Sequence, residues 1–560
     1  MKLEKGETSG MGNYVMPTRI VDSLLAEKTE KLLIDKPLQS NFTTDDCAYI
    51  RDKGYVVLDF GKEWNGGIVM TIQQVSGING IGKCRVTFGE SAMEALSSVG
   101  QKNATNDHAI RDTVLDITSM SNCRFGTTGF RFVKLEAVEC DVFLKAVKAE
   151  PDIKNLEYKG HFECDDELLN QIWRTGAYTV HLNMHEMVWD GIKRDRLVWI
   201  GDLHPEVSTI KSVFGADDSV ARSLDFAKNT VPPNKWMNNI ASYSMWWIVI
   251  HHDWFMNYGN KEYLGEQLEY LKKLVDHTIV WIDKGMKSEH PDQQTQYSLE
   301  HFVDWSSKDT PSEIEGLKAV CCMALECASK IFQQFAEDAY VVKCDKCANS
   351  LRQRVEKKEL NKRVAALLVL ADIPSDRARE LLEGNSAEEM SCFMGYYILL
   401  AKAKLGDYID ALDIIRTYWG GMLRMGATTF WEDFDIKWLE NAGRIDEVVP
   451  EGKVDIHGDY GKYCYEQFRH SLCHGWASGP TAYLSQYVLG IHVDAPGCKK
   501  VVIDPQLGDL KWVKGAYPTP HGNIYVEHEV RNGKIVSSVS APKDIDVEIH
   551  TTLKGNGEEL

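Results

Sequence analysis

The sequence predicts a multidomain protein in which a large helical domain lies between two antiparallel β-sandwich domains. Short β-rich segments separated by glycine-containing turns fill roughly the first 155 residues. A 3.6-residue apolar period then runs from about residue 160 to residue 488, and strand patterns return after Gly490. We therefore expect domains at residues 1–157, 158–488 and 489–560.

The N-terminal region is predicted to be a sandwich because its apolar segments are short and closely spaced. Three early strands are expected at 55–60, 68–72 and 84–88, with glycines between them at 61, 66–67 and 77–82. Further strands follow at 130–135 and 142–144. Short strands at this spacing are typical of an antiparallel sandwich.

The middle region carries one amphipathic helix pattern after another. The first begins after Asp165-Asp166, which can cap a helix, and continues through Leu169, Ile172 and Val180. A dozen or so such segments in one domain favour a helical barrel or toroid over a four-helix bundle. The C-terminal region predicts a small β-domain that includes a hairpin at Asn532-Gly533.

Composition excludes several classes of function. The chain has 560 residues, with 63 basic and 82 acidic side chains, for a net charge of −19. Such an acidic chain repels phosphate backbones, so we expect no nucleic-acid partner. We expect no membrane span, since the longest plain apolar run covers about eight residues, 364–371, and a span needs about 20. The N-terminus lacks the apolar segment of a secretory signal. The 14 scattered cysteines then indicate a reduced, cytoplasmic protein.

One segment is dense in both charges and indole rings. Residues 189–206 hold four carboxylates, three basic side chains and two tryptophans. A pocket explains this mixture: acids pair with Lys and Arg, and indoles offer flat faces to a ligand. Paired carboxylates with aromatic platforms suit a sugar. The alternative is a buried salt-bridge network that joins two helices.

Two later segments have a similar character. In 426–435, Glu432 follows Trp431 after a run of small residues. In 471–480, His474 precedes Gly475-Trp476. Each residue taken singly is explained as well by a cap, a core position or a solvated face, so only the combination favours a site.

Together the three segments resemble the bacterial α-L-rhamnosidases of glycoside hydrolase family 78. The first matches that family's Asp-x-x-x-Arg-Glu-Arg-x-x-Trp-x-Gly-Asp motif at Asp190, Arg194, Arg196, Trp199, Gly201 and Asp202. Residues 426–432 match Gly-Ala-Thr-Thr-x-Trp-Glu, and 471–474 match a later segment that ends in His. The resemblance implies an (α/α)6 barrel between β-sandwiches and covers nearly the whole chain.

The resemblance also implies an inverting, exo-acting hydrolysis of a terminal α-L-rhamnosyl residue. The carried-over general base is Glu432, and the general-acid position is Asp195. The implied substrate-binding residues are Asp190, Arg194, Trp199, Asp202, Trp246, Trp247, Trp305, Trp431 and His474. This chemistry implies neither a metal nor an organic cofactor. The expected partner is a rhamnose-containing oligosaccharide or glycoside, and a homodimer is compatible with the sequence.

The general-acid position departs from the family, which has Glu where this chain has Asp195. Three hypotheses follow. Asp195 is still the acid, although its side chain is one methylene shorter. Another group, for example Glu206, supplies the proton. Or the chain binds sugars without cleaving them, or cleaves a related sugar. We favour the first, because the position keeps a carboxylic acid.

Overall fold

The computed structural model describes residues 14–287, 301–305 and 312–553. The described chain has a helical middle flanked by regions of mainly antiparallel sheet, as the sequence predicts. Its largest apolar core lies in the helical region and extends into the C-terminal sheets. A second core fills the N-terminal region. Of the helices in these described ranges, none is long and apolar enough to cross a membrane.

The N-terminal region forms one six-stranded antiparallel sheet in the order β1-β2-β5-β3-β4, with β6 also paired to β2. The elements are β1 (Arg19–Glu27), β2 (Ala48–Val75), β3 (Ile81–Gly89), α1 (Ala92–Leu96), β4 (Asp112–Thr118), β5 (Ser121–Val138) and β6 (Val142–Pro151). The segments predicted as separate strands at 55–60 and 68–72 belong to a single strand, β2. Gly61 and Gly66 adopt positive φ at register shifts between β2 and β5, so they bend the strand instead of ending it.

Twelve helices lie in the described part of the middle region. They are α2 (Glu167–Asn183), α3 (Leu203–Val213), α4 (Asp218–Thr230), α5 (Ala241–Tyr258), α6 (Lys261–Asp283), α7 (Glu313–Gln334), α8 (Asp338–Gln353), α9 (Lys362–Leu370), α10 (Asp376–Leu382), α11 (Cys392–Leu405), α12 (Tyr408–Arg424) and α13 (Gly479–Tyr483). The Asp166 side chain caps α2 through the amides of Leu168 and Leu169. Strand β7 (His161–Cys164) precedes α2, and the short strands β8 (Ala442–Gly443) and β9 (Val454–Asp455) follow α12.

The C-terminal region contains a three-stranded and a five-stranded sheet. Its strands are β10 (Ile491–Val493), β11 (Lys500–Ile503), β12 (Trp512–Thr519), β13 (Gly522–Arg531), β14 (Lys534–Ser540), β15 (Asp546–Ile549) and β16 (Thr552–Leu553). The predicted hairpin at Asn532-Gly533 is confirmed: Arg531 pairs with Lys534, and both turn residues have positive φ. The larger sheet also takes in β7, which pairs with β12 and which the sequence did not predict.

Candidate active site

Loops between helices of the middle region form a pocket that brings together eight of the eleven residues predicted for the site. Its walls are Asp190, Arg194, Asp195, Trp199, Asp202, Ile240, Tyr243, Phe302, Trp305, Glu432, Cys464, His474 and Trp476. These residues come from five separate stretches of chain, at 190–202, 240–243, 302–305, 432 and 464–476, and Asp202 lies directly before α3. The pocket therefore depends on how these loops are fixed to one another.

Asp190 fixes the loop between α2 and α3. Its amide donates to the Leu197 carbonyl at 3.1 Å, and the Leu197 amide donates back to Asp190 Oδ1 at 2.9 Å. The Gly475 amide donates to the Asp190 carbonyl at 2.8 Å, which ties this loop to the one that carries His474. One carboxylate oxygen of Asp190 is thus committed to the backbone, and the other faces His474.

Glu432 is held by the same His474 loop. Its amide donates to the Ser471 carbonyl, and the Ser471 amide donates to Glu432 Oε2, both at 3.0 Å. The Trp476 indole donates to the Glu432 carbonyl at 2.9 Å. These bonds fix both the backbone and one carboxylate oxygen of a side chain that is 5% exposed.

Arg194 bridges the two carboxylates that correspond to the family's acid and base. Its Nη2 donates to Glu432 Oε1, and its Nη1 donates to Asp195 Oδ1 at 2.9 Å. Burial alone would raise the pKa of Glu432. The charges of Arg194, His474 and His470 outweigh burial and lower that pKa to about 2. Glu432 is therefore ionised throughout the neutral range, as an acceptor of a proton must be.

Three carboxylates surround the imidazole of His474. Its Nε2 lies 3.6 Å from Asp190 Oδ2, 3.8 Å from Asp202 Oδ2 and 3.8 Å from Glu432 Oε1. Burial lowers the pKa of His474, but the nearby carboxylates of Asp190, Glu432 and Asp202 produce a net rise. Burial and the neighbouring Asp190 raise the pKa of Asp202 to about 7, although the Tyr243 hydroxyl donates to its Oδ1 at 2.8 Å. The group can hold and exchange protons near neutral pH.

Asp195 has a left-handed backbone with φ of +57°, and the next residue, Arg196, has φ of +56°. Asp is one of the few residues that tolerate this region, because its short polar side chain clashes little there. His108, from the N-terminal region, places Nδ1 3.3 Å from Asp195 Oδ1. The N-terminal region thus reaches the edge of the pocket.

Aromatic rings complete the walls. Trp199 stands edge-on to Tyr243 at 6.1 Å, and its buried indole N–H has no hydrogen-bond partner among the described residues. Trp305 stacks on Tyr463 at 5.8 Å between ring centroids. Apolar faces beside an available buried donor and several carboxylates are the features expected of a pocket for a polyhydroxylated ligand.

The structure does not bring the other three predicted tryptophans to the pocket. Trp246 is buried against the rings of His204 and Tyr397, with centroids 4.7 and 4.8 Å away. The Trp247 indole donates to the Leu224 carbonyl at 3.1 Å within the core. Trp431 is 1% exposed and packs edge-on against Phe434. Each lies on a well-packed element where the apolar core competes for large rings.

Glu206, the alternative acid, is fully buried in α3 and does not line the pocket. Neither of its carboxylate oxygens has a hydrogen-bond partner among the described residues. Burial raises its pKa well above the ordinary value, with Asp202 and Asp190 adding to the rise. A Cβ on Gly475 would lie 1.9 Å from Glu206 Oε1, so only glycine fits the chain there.

The sequence analysis missed several residues of the pocket and its edge. Tyr243 lies one turn before Trp246 on α5. The pocket borders the start of α5, so Tyr243 is the more natural candidate on that helix. Phe302 adjoins the predicted Trp305 in sequence. Cys464 and His108 carried no local signal, because they arrive from a long loop and from another region of the fold.

One group among the described residues has the spacing of a metal site. Glu90, Glu94 and His457 place ligand atoms within 4.8 Å of one another. The Lys193 ammonium lies 3.0 Å from Glu90 Oε2 and 3.3 Å from Glu94 Oε1, so a cation of the protein itself already occupies the space beside these acids. These residues therefore do not fit a bound metal ion.

Comparisons with known proteins point to the same family as the three motifs. Residues 157–364 match the bacterial alpha-L-rhamnosidase 6 hairpin glycosidase domain, and residues 490–559 match the bacterial alpha-L-rhamnosidase C-terminal domain. An alpha-L-rhamnosidase of Alteromonas sp. (strain LOR) is 23% identical over 469 residues, which cover 75% of this chain and 48% of that protein. The chain spans about half the length of that curated relative.

Two solved structures show the same fold. A rhamnosidase of the GH78 family from Bacillus sp. GL1 aligns with a TM-score of 0.73 at 21% identity, over 93% of this chain and 55% of that one. A rhamnosidase from Klebsiella oxytoca with rhamnose bound aligns with a TM-score of 0.65 at 17% identity, over 84% of this chain and 94% of that one. The predicted resemblance to bacterial α-L-rhamnosidases is confirmed.

Proposed function

We propose that this chain, which carries the six-hairpin glycosidase and C-terminal domains of bacterial α-L-rhamnosidases, hydrolyses a terminal α-L-rhamnosyl residue of an oligosaccharide or glycoside. The observation that carries the proposal is the pair of carboxylates, Asp195 and Glu432, bridged by Arg194 in a pocket with sugar-binding character. The rhamnose in the related Klebsiella oxytoca structure supports a rhamnosyl substrate.

We propose an inverting mechanism in which Glu432 is the general base. Its carboxylate takes a proton from a water molecule as that water attacks the anomeric carbon. The low pKa of Glu432 keeps it ionised before the reaction. The Ser471 amide, 3.0 Å from Oε2, and the Arg194 guanidinium at Oε1 hold its orientation. A group fixed in this way lowers the entropic cost of the attack.

Asp195 is the proposed general acid, which protonates the leaving glycosidic oxygen. It lies on the pocket wall, opens to solvent at 19% exposure, and shares Arg194 with Glu432. The left-handed backbone at Asp195 sets where its short side chain points. Glu206 is the weaker candidate, since it is enclosed in the core behind Gly475 and cannot meet a substrate without a rearrangement of α3.

Asp190, Asp202, Trp199 and His474 are the proposed sugar-binding residues. The carboxylates accept from ring hydroxyls, and their negative charge stabilises the cationic character of the transition state. The available N–H of Trp199 donates to a further hydroxyl. Trp305 supplies an apolar face at the pocket.

We also propose that the twelve described helices close into an (α/α)6 barrel, with β-sandwich domains at 1–157 and 489–560. The six-hairpin family match and the alignment over 93% of the chain support this architecture. The pairing of β7 with β12 adds a seam between the barrel domain and the C-terminal domain.

The test is release of a chromogenic group from an α-L-rhamnopyranoside by the wild type, Glu432→Gln and Asp195→Asn. Each substitution should lower kcat by about 10²–10⁴-fold, the usual contribution of a general acid or base. Asp433→Asn is the matched control, because Asp433 neighbours Glu432 but does not line the pocket. NMR of the first-formed sugar should show the inverted anomer.

A protein that only binds sugar is the rival. It would bind L-rhamnose in calorimetry yet show no turnover on activated or natural rhamnosides, and the Glu432→Gln variant would bind as well as the wild type. That combination would rule out the proposed hydrolysis. The rhamnosidase family match and the presence of both carboxylates do not favour this alternative.

Two further properties stay predictions. We propose a cytoplasmic location, supported by the 14 cysteines, all of which are free thiols; cell fractionation would test it. A homodimer is tested by light scattering coupled to size-exclusion chromatography.

A further inference from the structure

A closed cluster of ionisable side chains lies behind the active-site loops, where the N-terminal region meets the helical region. Its members are Glu63, Glu90, Glu94, Lys193 and His457, all of them buried. Glu90 directly follows β3, and Lys193 directly precedes Arg194. The cluster therefore connects the N-terminal sheet with the loop that carries the proposed catalytic groups.

Lys193 is fully coordinated within this cluster. Its ammonium donates to the Phe468 carbonyl at 3.0 Å and also to the His470 carbonyl. Glu90 Oε2 lies 3.0 Å away and Glu94 Oε1 lies 3.3 Å away. Because the ammonium contacts all of these acceptors, it holds the loop at 193–194 against Glu90.

Glu90 holds a second loop at the same time. The Leu472 amide donates to Glu90 Oε2, and the Ser471 hydroxyl donates to Glu90 Oε1 at 3.3 Å. One buried carboxylate thus contacts both the Lys193 loop and the 471–472 segment. Its side chain is 0% exposed, so water cannot replace either partner without a local opening.

Both of these loops end on the carboxylate of Glu432. Arg194, the residue after Lys193, donates to Oε1, and the Ser471 amide donates to Oε2 at 3.0 Å. Glu90 therefore contacts Lys193, the neighbour of Arg194, and also contacts Ser471 itself. No other carboxylate of the cluster reaches both loops in the described structure.

We propose that Glu90, paired with Lys193, is a positioning residue of the N-terminal region that fixes the orientation of the Glu432 carboxylate. This inference rests on the proposed function, in which Glu432 activates water. Glu90 does not line the pocket and makes no contact with substrate. A misplacement of the base by about 1 Å costs on the order of a hundredfold in rate, so Glu90 should act on kcat more than on KM.

The cluster also offers a matched control. Glu63 is buried beside Glu90, but its carboxyl bonds neither loop, and its Oε1 has no partner among the described residues. Burial and the nearby acids raise its pKa well above the ordinary value, so Gln closely imitates its neutral form. Glu63→Gln should leave both activity and loop order unchanged.

The experiment compares the wild-type chain with Glu90→Gln, Glu63→Gln and the double variant Glu90→Met/Lys193→Met. The double variant removes both partners together, so neither Glu90 nor Lys193 is left buried without the other. Steady-state kinetics on a chromogenic α-L-rhamnoside gives kcat and KM. Hydrogen exchange followed by mass spectrometry, on a peptide spanning 470–476, reports the Ser471 and Leu472 amides independently of activity. Thermal unfolding reports folding.

We expect Glu90→Gln and the double variant to lower kcat by tenfold or more with KM within about threefold, and to speed exchange in 470–476. Exchange or kcat that is unchanged in a folded double variant would overturn the proposal, as would an equal loss in Glu63→Gln. If the wild type does not cleave the rhamnoside, the proposed function fails, whereas the exchange comparison still decides whether Glu90 holds the loop.

Discussion

Lys193 and Arg194 are neighbours in sequence, and each binds two carboxylates, but their surroundings differ. Lys193 lies among Glu90, Glu94 and backbone carbonyls, so every partner of the ammonium is internal. Arg194 holds Glu432 and Asp195 on the wall of a pocket. We call Lys193, Glu90 and Glu94 the closed set, and Arg194, Glu432 and Asp195 the open set. The closed set fixes the loop, whereas the open set is available to a ligand.

The largest effect on stability is expected when the closed set is broken. Lys193→Met leaves buried carboxylates without their cation, and loss of one partner of a buried pair costs about 3–5 kcal/mol of unfolding free energy. Urea denaturation measures the loss. Restoring charge balance with Glu90→Met in the same chain should recover a large part of it. A loss below about 1 kcal/mol in the single variant would show that the closed set is not structural.

The second prediction concerns Asp202, a pocket acid that has no Lys or Arg partner of its own in the described part of the chain, and the pH dependence of stability. The pKa of Asp202 is raised to about 7 from an ordinary 3.8, so between pH 4 and 7 the folded state keeps a proton that the unfolded state has lost. Wild-type stability contributed by this group therefore falls as pH rises across that window and is level above it. At about 1.4 kcal/mol per pKa unit, the total is a few kcal/mol.

Asp202→Asn removes this titration, and its amide oxygen can still accept from Tyr243. The unfolding free energy of the variant minus that of the wild type should increase steadily from pH 4 to pH 7. Denaturation at several pH values measures the difference. A difference that does not change with pH would mean that Asp202 titrates normally.

A third test compares the two cations by their geometry. Arg194→Lys keeps the charge but loses the fork that reaches Glu432 and Asp195 together, so kcat/KM should fall by roughly a hundredfold. Lys193→Arg, the reverse exchange in the closed set, serves as the comparison and should act chiefly on stability. Equal kinetic losses in the two variants would erase the distinction between the sets.

The smallest expected effect concerns the shortened acid. Asp195→Glu adds one methylene at a left-handed position that accepts Asp better than longer side chains. We expect about a tenfold fall in kcat, because the carboxyl moves away from the position set by Arg194. A gain in kcat would instead show that the pocket suits the family's glutamate and that Asp195 is a weakened acid.

Sequence patterns predicted the helical middle and most of the pocket because both depend on local or motif-level signals. Asp190, Asp202 and Glu432 stand at fixed motif spacings, and the structure brings them together around His474. Trp246 and Trp247 had no such spacing, and packing against His204 and Leu224 placed them in the core.

Contacts between distant regions could not be predicted in this way. The approach of His108 to Asp195 joins two different regions of the fold. The approach of Glu90 to the 471–472 segment joins residues 382 positions apart. Nothing in the neighbouring residues encodes such a partner, since it depends on how the N-terminal sheet docks on the helices. The same holds for β7, whose four residues find their partner in β12.

The pairing of β7 with β12 determines when β7 can be completed during synthesis. The Lys511 amide at the start of β12 binds the Asp165 side chain, 346 residues earlier in the chain. At roughly 5–20 residues per second, a ribosome needs tens of seconds to deliver that partner. Until then β7 is an unpaired strand beside α2, exposed to chaperones and to neighbouring nascent chains. This edge is therefore completed only after the groups of the pocket have all been made.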